Sequence, residues 1–202
     1  IDLKIGKQLP RFEQKLAGGQ EIKNLLFSCL YSSDHDDYFR LGELYEEFAA
    51  CYQRQGEEGD DFILRSNSMF VFAVESYKTS FQISSKHSIE YVIESQGKGI
   101  SISPKSYEAL FNYSLLCLKG KVGKHGVSDA KIMLHALIKR GFIEAYPHLG
   151  WQSYLDEDYK RAYKYLTHKK TPQNVFTYHK LGFLYLEGKA CAVDKEAAIN
   201  NF

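Results

Sequence analysis

The sequence predicts an all-α chain, an α-solenoid of stacked antiparallel helix pairs, and three observations carry that expectation. The first is a repeated spacing. Gly141-x-x-x-Ala145-x-x-x-Leu149-Gly150 is followed, 32 residues after Leu149, by Leu181-Gly182-x-x-Tyr185-x-x-Gly188. A partial copy runs from Tyr113 to Gly120 and on into Gly126-Val127-Ser128-Asp129, with Tyr113 36 residues before Leu149. The second is apolar residues recurring at i, i+3, i+4 and i+7, the period of a helix with one buried face. The third is punctuation, since glycines and prolines in the C-terminal half fall between those segments. A period in the thirties marks stacked helix pairs, because no single pair buries its apolar face alone. Such an array offers a surface for holding a partner rather than a reaction centre.

Composition sets the outer bounds. The 202 residues suffice for one large domain or a short solenoid, and 44% hydrophobic content suffices for a core. An aromatic content of 14% argues against disorder. A net charge of +1 leaves no global field for nucleic acid or anionic lipid. The longest purely apolar run, Met69 to Val74, falls far short of the ~20 residues that a membrane span needs. No signal peptide is visible, and a chain opening at Ile1 rather than Met is expected to have had an N-terminal segment removed or left out. Cys29, Cys51, Cys117 and Cys191 are widely spaced without a C-x-x-C pair, and the first three sit among apolar residues. That pattern favours reduced thiols and a cytosolic setting.

Residues 11–17 and 20–31 read as short helices broken by Gly18-Gly19, the second with Ile22, Leu25, Leu26, Cys29 and Leu30 on one face. Asp34-His35-Asp36-Asp37 precedes a strongly periodic helix, Tyr38 to Arg54, carrying Phe39, Leu41, Leu44, Tyr45, Phe48 and Cys51. After the polar loop Gln55 to Asp60, the helix Phe62 to Phe81 is apolar around most of its circumference and is expected to be largely buried. Ile89, Val92 and Ile93 suggest another short helix, and Ile100-Ser101-Ile102-Ser103 an extended connector too short to pair as a strand.

Beyond it, Ser103-Pro104 and Thr171-Pro172 each place a capping hydroxyl before a proline at the first helical position. Gly120, Gly141 and Gly188 fall where helices should end in a left-handed residue. Asp129 and Asp194 are expected at helix starts, where a carboxylate accepts orphan N–H groups. The expected organisation is a divergent helical region over 1–103, with one repeat-like pair at 38–81, then repeats at 104–141, 142–171 and 172–202. The turn of the middle repeat is Leu155-Asp156-Glu157-Asp158. The last repeat stops at Phe202 about two turns into its second helix, so the array is expected to be truncated or completed by another segment.

Leu-Gly-x-x-Tyr-x-x-Gly, a loop ending in Val193-Asp194, the small residues Ala197-Ala198, and Gly-x-x-x-Ala-x-x-x-Leu-Gly together resemble the Sel-one-like repeat family, relatives of the tetratricopeptide repeats. Asp158 to Leu166 looks closer to an ordinary tetratricopeptide second helix. The resemblance covers about 104–202 and extends to 38–81 through Leu41-Gly42-x-Leu44-Tyr45. Tyr113-Ser114 departs from Leu-Gly, and the tyrosine after Leu149 arrives one position late, at Tyr154. The resemblance implies a non-catalytic adaptor or scaffold that binds a partner protein or peptide in a concave groove, with no cofactor. The alternative is the regulatory or substrate-docking part of an enzyme. Further repeats of the same polypeptide are a second kind of neighbour.

In tetratricopeptide-like arrays the first helix of each pair lines the concave side, which implies Phe111, Leu115, Glu144, Trp151, Phe176, His179 and Phe183 as partner-binding residues. Aromatics in such a groove anchor an apolar peptide or helix, although the same stripe also suits inter-helix core. Other chemistry is sparse. The seven histidines form no H-x-x-x-H spacing, so no metal site is expected. Asp34 to Asp37 reads as the acidic start of a helix. Lys119 to Gly126 lacks the Gly-Lys-Ser/Thr ending of a phosphate loop. No Gly-x-Ser-x-Gly is present. Lys139-Arg140, Lys160-Arg161 and Lys169-Lys170 read as exposed second-helix faces.

Overall fold

A computed structural model describes residues 17–31, 34–55, 60–100, 102–123 and 125–202. Over these residues the chain is all-helical, without a strand. It divides into two compact units, Ile1–Ala130 and Lys131–Phe202. The division falls inside a helix, whereas the repeat-like spacing begins at residue 104.

In the first unit, α1 (Ala17–Tyr31), α2 (His35–Gln55) and α3 (Asp60–Ser85) are followed by the short α4 (Ile89–Glu94), a 3-10 turn (Pro104–Ser106) and α5 (Tyr107–Leu118). The α2 stripe Leu41, Leu44, Tyr45, Phe48, Ala49 and Tyr52 is buried, as its helical spacing demands. It packs on α3, whose buried apolar residues are Met69, Phe70, Ala73, Val74, Tyr77 and Phe81, and α3 packs in turn on α5. Ser66 donates to the Ala49 carbonyl at 2.9 Å and Ser80 to that of His35 at 2.8 Å, so the two helices run antiparallel. On α1, Arg40 of α2 reaches Glu21 at 2.8 Å.

Several elements differ from the expectation. Gly18 and Gly19 lie in the first turn of α1 and do not break it. First-turn N–H groups have no helical partner, so glycine costs less there than in a helix interior. Residues 11–16 lie outside the described residues. The helix α3 is not buried all round: Leu64 is 66% and Val71 55% exposed, because α2 covers only one side of it. Cys51 is exposed because Tyr52, four residues after Phe48, takes the inward position. As expected, the connector around Ile100 and Ile102 carries no strand among the described residues, and both isoleucines are buried.

The helix α6 (Val127–Lys139) crosses from one unit to the other. The second unit continues with α7 (Ala145–Leu155), α8 (Tyr159–Leu166), α9 (Val175–Glu187) and α10 (Lys195–Asn201). Helices α7 and α8 form one hairpin and α9 and α10 another, with α9 resting on both α7 and α8. Asp158 caps α8 by accepting from the Arg161 N–H at 3.1 Å, and Asp194 caps α10 by accepting from Ala197 at 2.8 Å. The cap of α9 is Asn174, which accepts from the Thr177 N–H at 2.9 Å, not Thr171. Thr171 instead turns inward and donates to the Tyr165 carbonyl at 2.6 Å, so the helix starts three residues later than Thr171-Pro172 suggests. Gly120, Gly141 and Gly188 have φ of +67°, +89° and +64°, the left-handed region glycine tolerates best at a helix end.

Three Leu-Gly dipeptides do the same job. Leu41, Leu149 and Leu181 are buried, and each following glycine presses against a large side chain of the second helix in its hairpin. A Cβ on Gly42 would lie 2.6 Å from the Tyr77 ring, on Gly150 2.7 Å from Leu166 Cγ, and on Gly182 2.7 Å from the Phe202 ring. Small residues there let paired helices approach closely. In α5 the matching position is Ser114, fully buried and donating to the Leu110 carbonyl at 2.6 Å.

Candidate functional site

The second unit gathers aromatic side chains from the first helix of each hairpin. On α9, Leu181 and Leu184 pack into a core shared with Ala162 and Leu166 of α8, and Thr177 is buried one turn before Leu181. The adjoining stripe, Phe176, Lys180 and Phe183, follows at i, i+4 and i+7 and turns toward α7. There Trp151 stacks on Tyr154 with centroids 4.8 Å apart and meets Phe183 at 6.1 Å. His148 stacks on Phe176 at 4.7 Å. His179 abuts Phe183 at 5.1 Å, and both contact Phe202 at the end of α10.

At the centre is a cation. Lys180 Nζ lies 3.8 Å from the Trp151 centroid, 5.2 Å from Phe176 and 6.0 Å from Phe183. An ammonium over aromatic faces is attracted by their quadrupoles. Burial holds the Lys180 pKa below the usual lysine value. A second cluster closes the far end of α7: Tyr154 donates to Glu187 at 2.5 Å, and Lys189 pairs with Glu187 at 3.1 Å above the Tyr159 ring. The Tyr154 hydroxyl holds the Glu187 carboxyl below its usual range, with Lys189 adding to the effect. Desolvation and that carboxylate push Tyr154 up to about 12.

The structure thus brings Trp151, Phe176, His179 and Phe183 into one surface. Trp151, Phe176 and Phe183 are half-buried against neighbours on both hairpins, and His179 is exposed. Glu144 stands exposed just before α7 and makes no capping bond. Phe111 and Leu115 lie one turn apart on α5, half-buried, and belong to the first unit. Sequence reading missed Lys180, Tyr154 and Phe202 at the surface. The spacing Phe176-x-x-x-Lys180-x-x-Phe183 carries a signal for the lysine, one helical turn from each aromatic.

Two other places hold titratable groups. Asp34 and Asp36 flank the His35 imidazole at 3.2 and 3.0 Å, and Asp34 also accepts from the Asp36 N–H at the start of α2. In the first unit, His125 is buried and hydrogen-bonds Asp129 through Nδ1 at 3.1 Å, while its Nε2 has no hydrogen-bond partner and lies 3.9 Å from Glu90. It lines a cavity of about 190 Å³ with Glu75, Lys78, Glu90 and Tyr113. No serine or cysteine lines that cavity among the described residues. In the basic loop, Lys119 pairs with Glu46 at 2.6 Å and Lys121 sits 4.6 Å over Phe70.

No known protein family matches the chain, and neither curated proteins nor solved structures give a match. No described helix is long and apolar enough to cross a membrane.

Proposed function

We propose that the repeat-like half of the chain is a non-catalytic docking module, an adaptor or scaffold of the Sel-one-like kind. It holds an extended or helical segment of a partner protein along the first helices of its pairs. The observation that carries this reading is the Trp151–Lys180–Phe183 cluster, in which side chains of two consecutive first helices build one aromatic surface around a cation. Rigid aromatics, tryptophan above all, are among the groups that dominate protein interfaces. The equivalent packing of Gly42, Gly150 and Gly182 supports a repeated unit behind that surface.

The test compares capture of partner protein by the parent chain and by His179→Ala and Lys180→Glu variants, whose side chains lie at the surface rather than in the Leu181 core. A discrete protein retained by the parent and lost from both variants, at unchanged melting temperature, supports docking here. Equal recovery from parent and variants overturns it.

The rival is a regulatory or substrate-docking part of an enzyme, and His125 with Asp129 is the observation favouring it. Asp129 orients the imidazole in the way that general bases are oriented. With no serine or cysteine lining that cavity among the described residues, the pairing that a histidine base most often activates is missing, and this is the weaker reading.

A further inference from the structure

A cavity of about 500 Å³ opens in the second unit, bounded by α6, the start of α7, and α8. That volume is typical of small-molecule sites. Four of its lining side chains are basic: Lys139 on α6, and Lys160, Arg161 and Lys164 on α8. The one carboxylate in the lining, Asp158, is already engaged, accepting from the Arg161 N–H and facing the Arg161 guanidinium at 3.3 Å. Lys139, Lys160 and Lys164 have no carboxylate in ion-pair range among the described residues. In a chain of net charge +1, three unneutralised lysines around one cavity concentrate the positive potential there. His135, at the same cavity, responds to that field: partial desolvation first, then Lys139, Arg161 and Lys131, hold its imidazole below the usual value, although much of the ring meets solvent.

The remaining walls are flat and aromatic. Tyr146 stacks on His168 with centroids 4.6 Å apart and only 10° between planes, and Tyr165 lies 6.2 Å from Tyr146. We propose that this cavity binds a small soluble polyphosphate ester, its adjacent phosphates held by Lys139, Lys160 and Lys164 and its organic group resting on the Tyr146–His168 wall. Compactness selects this ligand over an acidic peptide. Lys160 and Lys164 are one helical turn apart, within ~5–6 Å at their Cβ atoms. Adjacent phosphates place several charges within that span, whereas carboxylates on an extended chain are carried away at ~3.3–3.6 Å per residue. The proposal is independent of the docking surface on α7 and α9.

Calorimetry on the full chain at low salt, with pyrophosphate, ADP and adenosine as probes, decides the matter. Pyrophosphate and ADP should each bind saturably at one site, and adenosine should not. A Lys160→Gln/Lys164→Gln variant should lose at least tenfold in affinity for both phosphates. Its unliganded melting temperature should stay unchanged or rise, because like charges have been removed. Lys139→Gln, from a different helix, carries the same expectation should the double variant misfold. No saturable binding of either phosphate at millimolar concentration, equal affinity in the variants, or adenosine binding as tightly as ADP would each overturn the proposal.

Discussion

Two glycines that each stand between a leucine and an aromatic residue are under different constraints, and a single methyl group tells them apart. A Cβ on Gly150 would meet Leu166 at its branch point, 2.7 Å away, inside a fully buried cluster. Leu166 cannot swing aside without disturbing Ala162, Leu181 and Leu184. The Cβ on Gly182 would meet the outer edge of the Phe202 ring, which is more than half exposed and has room to turn. Gly150→Ala should therefore cost about 1–3 kcal/mol through overpacking, and Gly182→Ala distinctly less. Urea denaturation of the two variants measures both, and equal losses would contradict the assignment. Charge at the same scale gives a pH dependence. The Glu187 pKa is depressed in the folded chain by the Tyr154 hydroxyl, below the ordinary carboxyl value of 4.5. Its contribution to stability is complete above that value and is lost as pH falls through the lower folded one. Tyr154→Phe and Glu187→Gln should each flatten the fall in stability below pH 4.5, as followed by acid titration of the helical signal. A slope as steep as the parent's in both would remove this pair from the account.

At the scale of elements, the cap of α9 shows where reading the sequence succeeds and where it stops. Thr171-Pro172 carries the expected cap chemistry, yet Asn174 accepts the orphan N–H, because Thr171 is drawn inward to the Tyr165 carbonyl. A hydrogen bond six residues back along the chain takes the expected cap residue, and Asn174, three residues on, caps in its place. Asn174→Ala should accordingly lower stability by about 0.5–2 kcal/mol. Thermal melts check this, and a loss below 0.5 kcal/mol would return the cap to Thr171. Elements fixed by their own residues were legible: the left-handed Gly120, Gly141 and Gly188, the Asp194 cap and the buried stripe of α2. The exposed side of α3 was not, because Leu64 and Val71 are as apolar as Met69 and only a neighbouring helix distinguishes them. The same limit governs the sites. The resemblance to tetratricopeptide-like arrays names Trp151, Phe176, His179 and Phe183 together, while Lys180 is defined by what surrounds it. Lys139 and Lys160 look like separate solvated charges in sequence, and only the approach of α6 and α8 makes them one cavity.

For the molecule as a whole, the decisive element is α6, a single 13-residue helix in which the division between the two compact units falls after Ala130, and in which Ala130, Met133, Leu134 and Leu137 are buried. An isolated helix of that length is marginal in water, so each half of α6 depends on burial rather than on propensity. A break at Ala130–Lys131 would cut the helix into pieces of four and nine residues, Val127–Ala130 and Lys131–Lys139, too short to hold alone. The two units should therefore unfold together. Trp151, the sole tryptophan, lies in the second unit and reports on it alone, whereas far-ultraviolet circular dichroism reports on the helices of both. In urea the fluorescence and dichroism transitions should share one midpoint and one slope, the mark of a two-state reaction. A tryptophan transition completed while part of the helical signal persists would mean that α6 frays at Ala130–Lys131 and that the units fold independently. The Gly150→Ala variant sharpens the comparison. Its strain lies wholly in the second unit, so a shared transition must carry the dichroism midpoint down with the fluorescence midpoint by the same amount, and independent units would let only the fluorescence midpoint fall.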